Sequence, residues 1–340
     1  MKIKHIILFF PYFLYSCLIF SQDSLTRSMP VNQADIVFDT VEYSNGVVYV
    51  GGIYNKARHG FGSLVSPYGD TLYVGEYELN QRNGKGKYFF KNKNVYQGDW
   101  VRGAMQGEGK MTYAKGDVYE GGWREDRIHG KGVYTYKNGD VYSGDFVDGI
   151  RDGKGKMEQK GQIYEGDWSQ GVREGEGKLH IEGGGSIEEY KGGFVSNRYH
   201  GQGSWKYSRG EIVTEYIGSW VNGDRIGEGQ YIINGRTLEG NWKRNEASGN
   251  GVAVGAEGVY EGEFYRGFFQ GEGKFSYANG DVYEGSWVRG KRQGYGVLIR
   301  ENGSRYEGTW YMDLQNGEGV LIATDGSKKM GTFKDGKLED

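Results

Sequence analysis

A repeat of about 23 residues governs everything after residue 48. Its clearest copy opens with Tyr96-Gln97-Gly98-Asp99-Trp100 and closes with Gly107-Glu108-Gly109-Lys110. The same frame returns at Tyr119, Tyr142, Tyr164, Tyr190, Tyr216, Leu238, Tyr260, Tyr283 and Tyr306, after earlier copies at Tyr49 and Tyr73. A cut-off copy begins at Lys329, and the spacings run from 22 to 26 residues. Self-similarity at a fixed period of this size marks stacked supersecondary units that bury their apolar surface against one another.

With the first residue of each copy as offset 0, glycine fills offset 2 in all thirteen copies and offsets 11 and 13 in all twelve complete ones. Offset 4 is aromatic everywhere except Ile53, and seven of the eight tryptophans stand there: Trp100, Trp123, Trp168, Trp220, Trp242, Trp287 and Trp310. Side chains alternate across a strand, so offsets 0, 2 and 4 share one face that reads Tyr, Gly, aromatic. Tyr96 and Tyr119 open two such stripes. A second strand is expected over roughly offsets 12 to 17, with an apolar residue at offset 15 in every complete copy. Asn138-Gly139, Asn279-Gly280 and Asn302-Gly303 between copies predict type I′ hairpin turns. The glycine at offset 7, as in Gly103 and Gly149, suits the turn inside a copy.

Each copy is therefore one β-hairpin, and the fold class is all-β: an elongated, single-layer antiparallel sheet of about thirteen tandem hairpins, twisted into a rod or gutter. At about 4.8 Å per strand its length is on the order of 120 Å. Glycine removes Cβ where flat rings must lie across neighbouring strands, a device that covers strand glycines with aromatics. The 62 glycines would suggest collagen or disorder in another chain. Only three prolines and no triplet period rule out collagen, and an aromatic content of 15% argues against disorder.

The first residues have a different composition. Lys2 and Lys4 precede the apolar run Ile6–Phe20, and Ser21, Gln22 and Asp23 return the chain to polar residues. That run is short for the roughly 20 residues that span a bilayer and matches a secretory signal peptide over 1–21. A membrane-anchoring helix is the alternative, weakened by Pro11. Cys17, the single cysteine, lies in a stretch like a lipobox, but apolar Leu18, Ile19 and Phe20 follow it. Removal of 1–21 would leave a mature chain free of disulfides and thiol chemistry. Residues 22–35 read as a flexible leader, 36–48 as a half-repeat N-terminal cap with its strand over Ile36–Tyr43, and 49–340 as the array. At the far end Lys334, Asp335, Lys337, Glu339 and Asp340 are expected to discourage edge-to-edge pairing.

The pattern Tyr-x-Gly-x-Trp-x-x-Gly-x-x-x-Gly-x-Gly, as in Tyr96 to Gly109, resembles the MORN (membrane occupation and recognition nexus) repeat. The resemblance covers about residues 49 to 340 and departs at Leu238, Lys329 and the inserted Gly183-Gly184-Gly185. It implies an elongated hairpin sheet that scaffolds protein contacts and is linked to membrane lipids. With the leader it points to an exported, bacterial MORN protein.

Chemistry-bearing residues recur in register and do not converge. Gly107-Glu108-Gly109-Lys110 lacks the spacing and the helix of a phosphate-cradling loop. His59, His129 and His200 share offset 10 but lie about six strands apart, on the order of 30 Å, whereas zinc ligands sit within about 2 Å of the metal. Glu108, Glu176, Glu228, Glu272 and Glu318 form a ladder, and a ladder is not a singular active site. No enzyme activity, cofactor or metal is expected.

The leading expectation is a non-enzymatic scaffold for protein contacts or self-association outside the cytoplasmic membrane. The alternatives are glycan binding on the aromatic stripe, which requires rings that solvent can reach, and association with anionic lipid. Net charge is −3, which opposes the lipid reading and leaves no nucleic-acid footprint. On the face opposite the stripe, offsets 14 and 16 turn apolar towards the C-terminus. Ile232, Val252, Val254, Val297, Ile299, Val320 and Ile322 form the candidate partner surface.

Overall fold

The computed structural model describes residues 33–339. The expected signal peptide, Cys17 and most of the leader lie outside the described residues. Gln33–Asp35, which the leader reading included, form a 3-10 turn. The rest is a single antiparallel sheet of 27 strands, and each strand pairs with its neighbours in sequence, as Val95–Val101 pairs with both Gln81–Phe89 and Ala104–Thr112. The first strand, Val37–Glu42, lies within the Ile36–Tyr43 stretch and pairs with Val48–Tyr54.

The register repeats what the glycines demand. Tyr96 faces Tyr88 on one side and Met111 on the other, and Gly98 faces Gly86 and Gly109. Rows of Tyr with offset 15, and of glycine with glycine, therefore run across the whole sheet. Between Gly98 and Trp100 the partner strand takes four residues, from Gly109 to Met105, for the first strand's two. Such a bulge needs backbone that L-residues avoid, and Gly107 at offset 11 supplies it with φ +65°. The bulge also starts the second strand at Ala104, offset 8, earlier than the offset 12 that alternation alone predicts.

The turns divide the work differently from the sequence expectation. The turn inside each copy has positive φ at both offsets 6 and 7, as in Arg102 and Gly103 or Leu79 and Asn80, which is the type I′ geometry. The three Asn-Gly links expected as type I′, at 138–139, 279–280 and 302–303, are not type I′, whereas Asn234-Gly235 has positive φ at both residues. Around Asn138-Gly139 the Tyr136 N–H bonds the Asp140 carbonyl and the Gly139 N–H bonds the Tyr136 carbonyl. Only Gly139 has positive φ there, so this is a three-residue loop with glycine in the left-handed position. At the inserted Gly183-Gly184-Gly185, the strands lengthen to Val172–Gly183 and Ser186–Val195 and the order of pairing is kept.

Candidate interaction surface

The aromatic side of the sheet is its core. Each offset-0 tyrosine lies flat over two glycines: a Cβ placed on Gly98 would run into the Tyr96 hydroxyl, and one on Gly109 into both the ring and the hydroxyl. The Tyr96 ring meets Trp100 edge-on at 5.2 Å and Trp123 of the next copy at 5.1 Å. The Trp100 indole N–H donates to the Gly86 carbonyl, and that of Trp123 to the Gly109 carbonyl. T-shaped aromatic pairs add about 0.5–1.5 kcal/mol each beyond area burial, and the ladder repeats them along the array.

A third layer seals these rings, from a position that alternation alone did not single out. Offset 9 faces offset 4 across the bulge, as Met105 faces Trp100. In six copies it is arginine: Arg58, Arg82, Arg151, Arg173, Arg225 and Arg292. The Arg82 guanidinium sits 4.0 Å from the Trp100 ring centre of the following copy and donates to the Gly103 carbonyl at 2.7 Å. Arg151 repeats this on Trp168 and Gly171, and Arg292 on Trp310 and Asp313. Each arginine thus clamps its own copy to the next. Burial lowers the pKa of Arg82, Arg173 and Arg225 from its ordinary value. Elsewhere a flat ring does the same covering: Tyr199 stacks on Tyr190, and Phe269 on Tyr260, both at 3.8 Å.

Trp100 is 2% exposed and Trp168 6%, and Trp123, Trp220, Trp242, Trp287 and Trp310 are likewise buried, as are Tyr96 and Tyr119. The stripe is core, and no sugar ring can stack on it. The glycan reading of these residues is corrected accordingly, because the offset-9 layer covers rings that would otherwise face water.

Among the described residues, no layer covers the opposite face. Near the bulge, a carboxylate at offset 3 accepts the N–H that the broken ladder frees: Asp99 from Glu108, Asp145 from Lys154 and Asp167 from Glu176, each at 3.0 Å. The same aspartates pair with a lysine of the preceding copy, as in Lys85–Asp99 at 2.5 Å and Lys131–Asp145 at 3.0 Å. One row, offsets 1 and 14, changes sign along the array. Lys87, Lys110, Lys156, Lys178 and Lys191 dominate its first part, and Glu239, Glu261, Glu284 and Glu307 its last.

The candidate partner residues all lie on this face, but not as one apolar patch. Val252 stands between Glu239 and Glu261, and Val297 between Glu284 and Glu307. Val320 lies between Glu307 and Met330. The neighbouring row is more continuous, running Val254, Val259, Ser276, Val282 and Ile299 across adjacent strands. Val252, Val254 and Ile299 are 39–45% exposed, whereas Ile232, Val297, Val320 and Ile322 are half-buried. Tyr265, Phe268, Tyr295, Tyr311 and Leu314 add exposed apolar surface in the last three complete copies; their side of the sheet follows from the offset pattern, and offsets 5 and 8 carry no fixed residue type, while Tyr295 interrupts the glutamate ladder at offset 12.

His59, His129 and His200 sit at the bulges with buried Nδ1 atoms that have no hydrogen-bond partner. Asp148 comes within 3.7 Å of His129 Nδ1, too long for a hydrogen bond. Among the described residues no group of three or more His, Cys, Asp or Glu converges as a metal site.

A repeat protein built as one open hairpin sheet, sealed on one side by stacked rings and bare on the other, is the class this geometry defines. The family model for the MORN repeat matches twelve tandem stretches, from 49–71 through 96–118 and 216–234 to 306–328, and the chain belongs to the MORN-repeat family. The cut-off copy at Lys329 lies beyond the matched stretches. No curated protein matches the chain.

Proposed function

We propose that the protein is a non-enzymatic scaffold that holds a protein partner on the bare face of its C-terminal copies. The observation that carries this reading is the exposure of Val252, Val254, Tyr295 and Ile299 in rows interleaved with glutamates, with exposed Tyr265, Phe268 and Tyr311 towards the inner turns of the same face. Exposed apolar surface rimmed by charge is the mark of an interaction site, and the acidic rim favours a partner with basic residues. A sheet of this length suits an extended partner. The proposal places the protein outside the cytoplasmic membrane; its support is the order of Lys2, Lys4, the apolar run Ile6–Phe20 and Ser21.

A photo-crosslinking residue at position 254 or 299 should trap a partner in envelope or extracellular fractions, while one at exposed Lys56, near the opposite end, should not. Replacing Val297, Ile299, Val320 and Ile322 with Thr should weaken that capture and leave the array folded. Equal capture from both positions, or capture untouched by the four replacements, contradicts the assignment of the face. Mass spectrometry of the native N-terminus tests export: a start near Gln22 supports it, and intact Met1 in the cytoplasm overturns it.

A further inference from the structure

The two ends of the sheet are unequal halves of one repeat, and each supplies what the other lacks. The leading strand Val37–Glu42 pairs with Val48–Tyr54, placing Val41 opposite Tyr49 and Asp39 opposite Gly51. Its residues therefore occupy offsets 11 to 16 of a copy whose first strand does not occur among the described residues. The closing strand Lys328–Lys334 occupies offsets −1 to 5. Beyond it, Lys337–Leu338 pairs only with Phe333 and Lys334, which reproduces offsets 8 and 9 of a complete copy. Among the described residues, no strand covers the outer edge of Lys328–Gly331 or that of Val37–Glu42.

We infer that copies of this chain join head to tail, the leading strand of one adding to the closing strand of the next to complete a repeat. The inference rests on the scaffold reading and adds a second copy as a partner, at the ends of the array. Within a complete copy offset −1 faces 16, offset 0 faces 15 and offset 1 faces 14, as Val95 faces Thr112, Tyr96 faces Met111 and Gln97 faces Lys110. Carried to the junction, this register sets Lys328 opposite Glu42, Lys329 opposite Val41 and Met330 opposite Thr40.

The departures of the two half-copies from the repeat pattern also match each other. Glycine is required at offset 13 because the offset-0 tyrosine lies on it, as Tyr96 lies on Gly109. At the junction offset 0 is Lys329, which has no ring, and offset 13 is Asp39, which faces it diagonally with opposite charge. Offset 11 must be glycine where one chain runs through the bulge with positive φ, as Gly107 does. A strand arriving from another chain makes no such turn, and Val37 stands there.

Charge selects unlike ends. Asp39 and Glu42 mark the leading edge, and Lys328 and Lys329 the closing edge. Like charges directly opposite each other destabilise a strand pair, so each edge resists its own kind and accepts the other. The charged ends that discourage random edge pairing thus leave one pairing open. Phe38 and Met330, 71% and 73% exposed, share the bare face at offsets 12 and 1 and would become neighbours. A heterologous contact of this kind builds filaments, or rings if the rotation closes.

Sedimentation velocity of the full chain over a range of concentrations tests this. The mass should grow in steps of one chain and fall back at high salt. Glu42→Lys alone and Lys328→Glu alone should each weaken assembly roughly tenfold, while an equimolar mixture of the two folded variants should assemble like the parent, since every junction in it again pairs opposite charges. A parent that stays a single chain throughout, single variants that assemble normally, or a mixture no better than its parts each overturns the inference. Capture by the crosslinker at position 254 or 299 is read separately: if it persists while the parent stays a single chain, only the head-to-tail contact falls.

Discussion

The Tyr96 hydroxyl donates to the carbonyl of Asp99, three residues along its own strand, at 3.0 Å. The ring that reaches this far must lie down along the strand, and it can do so because Gly98 and Gly109 have no side chains beneath it. The same bond recurs from Tyr119 to Gly122, Tyr142 to Asp145 and Tyr283 to Ser286. Glycine, ring and capping side chain form one stack per copy.

Filling the lowest layer of that stack should be costly. A Cβ on Gly121 would lie 2.5 Å from the Lys131 carbonyl oxygen and 2.8 Å from the Tyr119 hydroxyl. Gly121→Val is expected to destabilise the sheet by about 1–3 kcal/mol or more. Glu120→Ala, one residue away on the bare face, should stay within about 0.5 kcal/mol. Chemical denaturation of both variants checks the pair, and equal effects would refute the assignment of faces.

The arginine clamp predicts a substitution order. Arg151→Ala loses both the stacking on Trp168 and the bond to Gly171, and should cost about 1–3 kcal/mol. Arg151→Met should cost less, because Met105 holds the same offset in its own copy and is buried there. Denaturation midpoints that rank Met at or below Ala would show that covering the ring is not what the position does.

One copy lacks its ring. At Leu238 no tyrosine bridges Trp242 to Phe264, although Gly240 and Gly251 remain paired below. The seam should open first, with faster amide exchange over 237–254 than in the flanking copies. Leu238→Tyr should restore the stack and raise stability by about 0.5–2 kcal/mol. Slower exchange at this seam than at Tyr216 or Tyr260 would contradict the reading.

Alkaline pH should unfold the array. Burial pushes the Tyr142, Tyr190 and Tyr260 hydroxyls up to about 12 from an ordinary 10.0. The folded state holds the neutral phenol, so this contribution is complete below pH 10.0 and is lost as pH climbs through about 12. Melting temperatures should fall across that window. Tyr142→Phe keeps the ring but has no proton to lose, and its decline should be shallower; a steeper one would reverse the sign of the argument.

The repeat, its two strands and the Tyr-Gly-aromatic face were legible because period two and a fixed frame report directly on which side a residue faces. The inner turns were not. Leu79, Glu125 and Met312 adopt positive φ at offset 6, held there by the pairing of the strands on either side, and nothing in their side chains announces it. The clamp was hidden for a related reason: the bulge moves offset 9 onto the aromatic face, and its arginine acts on a ring about 18 residues further along, in the next copy. Alternation placed the candidate partner residues opposite the aromatic stripe, but their interruption by glutamate became visible only with the cross-strand register.

Hydroxyl-radical footprinting of the full chain, read residue by residue, tests most directly whether the stripe is core and the other face is the working surface. Tyr265, Phe268, Tyr295 and Tyr311 should be modified readily, while Trp100, Trp168, Trp242 and Trp310 stay protected as long as the chain is folded. Trp100 and Trp168 modified as fast as Tyr295 in the folded protein would contradict the account.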